Sequence, residues 1–396
     1  MANTLDFKQL SAILNSIVSQ ATGQAAITPT NTSEFVAVAN TALLAGYDPT
    51  MKAISQVLSK TIFSIRPYEE KFQGLRVDSQ KWGNHVRKIN AIDKTFVDDD
   101  RYDLTDGTSI DPYVIRKPEV LQTNFYGGDT VSDYITIFRD QLDTAFSGPD
   151  QFGDFLSLVM GNISDRHAQS RENLARACIA NFVGAKHQDD SANEIHLLYE
   201  YNQLTGLSLD NQTVYQPDNF APFMKWAYAR IAAVSAMMSE RSTKFHMNVT
   251  GKEIMRHSPK ARQKVFFYAP SMYQMTAQVL ADTYHDTFLR YAANETVNFW
   301  QSIDTPDEIQ VIPSSMDVSD GSYYSSGNAQ TVSEIFCVLI DEEAAGYTIL
   351  REWMAPTPFN ARGGYHNLFW HYDRRYWNDL TENGVIFTLS DQAPGA

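Results

Sequence analysis

Cysteine is nearly absent. Two residues, Cys178 and Cys337, stand in a chain of 396. They build no disulfide framework, and both lie in apolar context, which points to buried thiols in a reducing compartment. Long apolar runs are missing too. No stretch approaches the ~18 residues of a membrane span, and no charged-then-apolar leader opens the sequence, so the expectation is a soluble, non-secreted chain. On that expectation the Asn-x-Ser/Thr matches at Asn31, Asn162, Asn211, Asn248 and Asn294 are chance. Positive charge is in deficit: 32 Lys and Arg face 47 Asp and Glu, a formal net charge of −15. That excludes a dedicated nucleic-acid reader with a basic face, but not a protein that merely encloses nucleic acid.

Catalytic signatures are also lacking. Gly251-Lys252 has neither the upstream Gly nor the Ser/Thr of a phosphate loop. No nucleophile elbow, no His-Glu-x-x-His and no Cys-x-x-Cys occurs. His366 and His371 are five apart, on opposite faces of a strand, and cannot share a metal. The acidic group Asp98, Asp99, Asp100, Asp103 and Asp106 fails as a calcium loop because Tyr102 falls on a ligand position. It reads as a solvated tip, as an intersubunit partner for Arg374-Arg375, or as an adventitious cation site. The expectation is no enzyme, no cofactor and no metal.

What is present is rings and one long helix. The chain holds 22 Phe and 20 Tyr, residues that favour cores and interfaces. In residues 151–182, apolar or small side chains recur at Phe152, Leu156, Val159, Ile163, His167, Ser170, Leu174, Cys178 and Phe182, spaced by three and four. Asp165, Arg166, Arg171, Glu172 and Arg176 lie off this stripe. Such a helix runs about 45 Å, against a usual length of roughly 11–12 residues.

Around it the pattern changes. Residues 1–20 form an amphipathic helix, 21–35 a small polar connector, and 35–58 a second helical pattern broken near Asp48-Pro49. Residues 82–89 alternate as a strand, 97–107 are polar, and 112–117 return as a second strand, a hairpin with a long tip. Such a ribbon is marginal alone and calls for something to pack on. Helices follow at 221–239 and from Met272, with Ser271 as N-cap, to about Phe288. Strands are expected at 265–268, 309–312, 335–340 and 385–389, with a loop at 317–330 and a short helix over 376–383 stopped by Gly384. The run 335–340 is apolar throughout, as for a strand covered on both faces. Leu368, Trp370 and Tyr372 share one strand face, with His371 and Asp373 on the other.

This order of parts (arm, long hairpin, long helix, α/β unit, strands returning at the C-terminal end) resembles the major capsid proteins of tailed bacteriophages, the HK97-like capsid fold, of α+β class. The resemblance covers nearly the whole chain, is architectural, and rests on no specific local motif. It implies an N-terminal arm at 1–60, an extended loop at 61–130, a peripheral domain with a spine helix at 131–190, an axial domain at 191–350 and a return to the peripheral domain at 351–396. It implies self-assembly as hexamers and pentamers into an icosahedral shell around double-stranded DNA, in a virion assembled in the host cytoplasm. It implies no membrane, and scaffold, portal and decoration proteins as further partners, any scaffold being separate from this chain. Candidate intersubunit contacts are Trp82, Arg87, Lys88, Asp98, Asp99, Asp100, Arg101, Arg116, Arg374 and Arg375. The family's occasional lysine–asparagine crosslink is not assigned to Lys71, Lys81, Lys88 or Lys94. An encapsulin-like compartment shell shares the fold and is the alternative. The spine stripe is expected to pack on the strands around Leu368 and Val385, with the Arg-bearing side facing a neighbour or the shell's interior.

Overall fold

The computed structural model describes residues 6–23, 28–58, 70–77, 86–92, 101, 104–113, 115, 117, 119–125, 128–189, 191–248, 254–282, 294–313, 316–317, 323–324 and 328–394. Three helices come first: α1 (Phe7–Thr22), α2 (Thr32–Leu44) and α3 (Tyr47–Leu58). Gly23, in the left-handed region, closes α1, and the Asn31 side chain caps α2 by accepting from the Glu34 N–H. The break between α2 and α3 falls at Ala45-Gly46 rather than at Asp48-Pro49. Pro49 stands in the first turn of α3, where a missing N–H costs little.

Next comes an antiparallel hairpin, β1 (Val86–Ile92) and β2 (Glu119–Phe125), with Val86 opposite Phe125 and Ile92 opposite Glu119. The returning strand is therefore later than the expected 112–117. Pro112 and Tyr113 form a turn instead, since proline offers a ladder no donor. Then follow β3 (Gly128–Phe138), α4 (Arg139–Ala145) and α5 (Pro149–Asp189), a helix of 41 residues and thus about 60 Å long. It is longer than its sequence stripe suggested because Pro149 starts it at a position suited to proline, and because its last turns stay buried at Phe182, Val183, Ala185 and Lys186.

The remainder comprises β4 (Glu194–His196), α6 (Leu197–Thr205), α7 (Pro217–Met238), β5 (Gln263–Tyr268), α8 (Ala269–Asp282), β6 (Asn294–Val297), β7 (Ile309–Val311), β8 (Met316–Asp317), β9 (Tyr323–Tyr324), β10 (Gln330–Val332), β11 (Ile335–Asp341), β12 (Ala345–Pro356), β13 (Tyr365–Asn378) and β14 (Gly384–Thr388). Because α8 starts at Ala269, Ser271 lies within it instead of capping it. Residues 283–288, read as the end of this helix, lie outside the described residues. The two-residue strands β8 and β9 pair within the expected 317–330 loop.

Two sheets organise the chain. One is five-stranded, in the order β4-β14-β11-β5-β6, and the other three-stranded and antiparallel, in the order β12-β13-β3. Strand β11 is buried at all seven positions, as an apolar strand covered on both faces should be. Its even-numbered Val338 and Ile340 join a core with Ala175, Ile179, Phe182 and Val183 of α5. Leu339 and Cys337 face a second core with α6, α7 and α8. The first half of α5 (Phe152, Leu156, Val159, Ile163) packs with Leu368, Trp370 and Tyr372 of β13 and with α1, α2 and α3 in a third core. The stripe thus does meet Leu368, but Val385 points away from α5, into the α6–α8 side, and Ile386 takes the α5 side. Successive strand residues alternate faces, so a shift of one reverses the assignment. Residues 7–58 have a core: Leu14, Ile17, Phe35, Met51 and Ile54 are fully buried in the cluster that includes the first half of α5.

The expected helix at 376–383 is not formed. Strand β13 runs to Asn378 and a turn follows. Gly384 is the first residue of β14 and is not in the left-handed region. It is required for close approach: a Cβ there would stand 2.5 Å from the Phe182 ring. Replacing Gly384 with Ala should therefore lower stability by about 1–3 kcal/mol through overpacking, read as a reduced denaturant midpoint of the unassembled subunit.

Candidate intersubunit contact site

The hairpin is fixed at its base by Lys88, which β1 directs onto the turn between β13 and β14. Its Nζ donates to Glu382 Oε1 at 2.6 Å and stands 3.1 Å from both Asp379 Oδ2 and Glu343 Oε2. The Lys88 side chain is 16% exposed and that of Asp379 1%. Burial alone would push the ammonium's pKa down. Asp379, Glu382 and Glu343 more than offset that and hold it above the usual lysine value. Arg256 completes the tie, donating to Thr381 O at 3.1 Å and Asn90 Oδ1 at 3.2 Å, with Glu382 at 3.3 Å. Burial, with Asp379 adding, raises the Glu382 carboxyl despite Lys88 and Arg256.

The other face of the hairpin is bare. Ile89 sits opposite Gln122, and Ala91 opposite Val120, so Ile89 and Val120 share a face; they are 62% and 63% exposed. Ile110, Tyr113 and Ile115, between the strands, are exposed as well. A second apolar surface lies on the outer face of the three-stranded sheet. Tyr134 stacks on Phe369 at 5.2 Å, Trp353 on His371 at 4.7 Å, and Phe138 meets Tyr365 edge-on at 5.9 Å. The Arg351 guanidinium lies over Trp353, 4.5 Å from the ring centroid.

The basic pair expected here is engaged within the chain. Register sets Arg374 opposite Asp129 and Arg375 opposite Gly128. Arg374 donates to Asp129 Oδ2 at 2.6 Å and to Ser170 Oγ at 3.2 Å, tying β13 to β3 and α5. Arg375 packs over Gly128, where any Cβ would collide with its guanidinium. Lys88 is likewise an internal tie. Arg101 is exposed. Trp82, Asp98, Asp99, Asp100 and Arg116, and the side chain of Arg87, lie outside the described residues.

The arginines of α5 have partners within the chain. Arg166, exposed, pairs with Asp133 at 2.5 Å, while Arg171 binds Glu70 at 2.7 Å. Arg176 is buried, bonded to Glu172 and 3.7 Å over the Phe299 ring. Glu172 accepts from the Lys71 backbone N–H at 3.0 Å. The chain at 70–76 folds back on the helix, with Phe72 buried and in the left-handed region. Sequence spacing missed Glu70, Glu343, Asp379 and Glu382, because their partners lie about a hundred residues or more away.

His167, in mid-helix, forms a short hydrogen bond with Tyr372 Oη and packs edge-on against Trp370. Burial, with Arg171 and Arg166 adding and Asp133 opposing, pushes its pKa down to about 4. Among the described residues there is no three-member His/Cys/Asp/Glu group suited to a metal, and no helix long and apolar enough to cross a membrane.

Two sheets bridged by one long helix, with a projecting hairpin bare on one face, define a shell-forming subunit of the HK97-like capsid class. The solved structures it resembles include the capsid of Staphylococcus phage Andhra, at 12% identity and TM-score 0.55, covering 83% of this chain and 87% of that one. A chain in the head-fiber and inner-core-protein structure of bacteriophage P68 is similar at 11% identity and TM-score 0.53, with the same two coverages, 83% and 87%. No curated protein matches. The model of the Phi29-like phage major capsid protein family matches residues 11–388, and the chain belongs to that family. It is a major capsid protein, a structural component of a tailed-phage virion that assembles into a multimeric shell; the compartment-shell alternative is not favoured.

Two outcomes are expected. Lys88→Met should cost the unassembled subunit about 3 kcal/mol, because it takes the ammonium from buried Asp379 and leaves Glu382 with Arg256; chemical denaturation at neutral pH measures it, and lowering the pH should shrink the difference as Glu382 protonates. His167 has a depressed pKa in the folded chain, so the unfolded chain takes up the proton first. Stability should then fall as pH drops from about 6.5 towards 4. The drop should be smaller in His167→Gln, as read from thermal midpoints of the two proteins across that range.

Proposed function

We propose that copies of this chain assemble as hexamers and pentamers into an icosahedral shell around double-stranded DNA, in the host cytoplasm, with no catalytic role for the chain itself. The observation that carries the reading is the hairpin. It is anchored by buried charge on one face and presents Ile89 and Val120 to solvent on the other. A two-stranded ribbon is marginal by itself, and a large exposed apolar surface marks a protein contact. The counterpart is the ring band of Tyr134, Phe369 and Trp353 on a neighbouring copy. A contact between two different faces of identical subunits repeats around a closed ring. Residues 61–130 act as the extended loop, 131–190 and 351–396 as the peripheral domain, and 191–350 as the axial domain. Residues 1–60 act as a first segment packed on the spine and available to neighbours. Trp82, Arg87, Asp98, Asp99, Asp100, Arg101 and Arg116 serve the contact along the hairpin, whereas Lys88, Arg374 and Arg375 support it from within. The net charge of −15 keeps the shell from gripping the enclosed polyanion. Scaffold, portal and decoration proteins are the further partners.

Deleting residues 98–110 tests this. The subunit should remain folded and soluble by circular dichroism, while negative-stain microscopy shows no regular particles. Particles indistinguishable from those of the intact chain would remove the hairpin from the interface.

A further inference from the structure

Strand β4 is at the edge of the five-stranded sheet, parallel to β14, and the segment after β14 runs on beside the residues that follow β4. The Tyr199 N–H donates to Ser390 O at 3.1 Å and the Leu389 N–H to Glu334 O at 2.9 Å. One side chain links the edge to that segment. His196 has an acceptor at each ring nitrogen: the Gln392 carbonyl oxygen 2.8 Å from Nδ1, and Glu194 Oε1 3.2 Å from Nε2. A carbonyl and a carboxylate only accept, so both bonds exist together only when both ring nitrogens carry protons. A neutral imidazole keeps one of the two.

Glu194 is shared. Its second oxygen is 2.6 Å from His187 Nδ1, near the end of α5. Burial would raise this carboxyl, but the two imidazoles more than offset it and hold its pKa down to about 2, so it stays an anion. For His196, burial disfavours the charge. Glu194, the Gln392 carbonyl and Glu200 of α6 outweigh it, and the pKa lies above 6.5. Glu200 is itself gripped by Arg230 of α7 at 2.6 and 2.9 Å. His187 is raised by Glu194 against its own burial and the charge of His196. The charged groups facing His196 are thus Glu194 on its own strand, His187 from α5 and Glu200 from α6.

We propose that His196 is a proton-dependent tie between β4 and the segment after β14. As imidazolium it holds Gln392 on the sheet edge. On losing a proton it keeps the stronger, charged acceptor Glu194 and releases the Gln392 carbonyl. The tie is fully present below about pH 6.5 and is lost as pH rises through the folded-state value, the direction set by a raised histidine pKa. A proton thereby controls whether this segment stays tied to the end of β4 beside α6.

The experiment is hydrogen exchange by mass spectrometry on the full chain between pH 6 and pH 8.5, normalised to intrinsic rates and read at the Tyr199 and Gln392 amides. Protection should fall several-fold in the wild type and in His187→Gln, and stay level in His196→Gln. A level wild-type profile, or an unchanged fall in His196→Gln, overturns the proposal. Should His196→Gln fail to fold, deuterium exchange at the imidazole C2 position of the wild type decides it. A His196 midpoint above 6.5 supports the tie, and one at or below 6.5 overturns it.

Discussion

The three-stranded and five-stranded sheets are joined through α5, which is shared between two of the three cores. Its first half is a wall of the cluster made with α1, α2, α3 and β13, and its second half a wall of the cluster made with β11 and β14. A helix of 41 residues has too little intrinsic propensity to stand in water by that alone. It is held because both of its ends are buried in apolar contact with different sheets. The arrangement leaves no room at the crossing points. Gly384 admits the Phe182 ring, and a Cβ on Gly184 would meet Val311 at 2.3 Å. Close-packed interiors pass displacement on rather than absorb it.

Charge plays a second, local part. Polar side chains that sequence alone would place in solvent are instead used as internal fasteners: Lys88 among three carboxylates, Arg176 on Glu172 and Phe299, and Arg374 on Asp129 and Ser170. Each joins segments far apart in the chain. The exposed surfaces include apolar and aromatic side chains, Ile89 and Val120 on the hairpin and Tyr134 and Trp353 on the sheet. Non-directional apolar contact tolerates the slightly different angles between copies in a closed shell better than rigid bidentate pairs do. The ion pairs hold the subunit's own shape, and the ring surfaces are left exposed.

The parts most legible from sequence were those with strict periodicity and one covered side. The β11 run is buried throughout, and Leu368, Trp370 and Tyr372 do share the buried face of β13. The α5 stripe was legible through Ile163 and then blurred. Beyond that point the helix is enclosed on more than one side, so Ala175, Ile179 and Val183 are as buried as Phe182. The return strand expected at 112–117 lies at Glu119–Phe125, since Pro112 offers a ladder no donor. Gly384 was mistaken for a helix stop because a glycine required for close approach and one required for a left-handed turn look alike in a sequence.

The sequence by itself determined the architecture: a long amphipathic helix, a coreless ribbon, a doubly covered strand and a chain too acidic to read nucleic acid. These follow from periodicity and composition, which depend only on near neighbours along the chain. Tertiary structure alone decided which charges are buried, which face of the hairpin is free, that α1–α3 rest on α5, and that His196 has an acceptor at each nitrogen. Those depend on pairings across hundreds of residues, set by which surfaces exclude water together, and no local spacing encodes them.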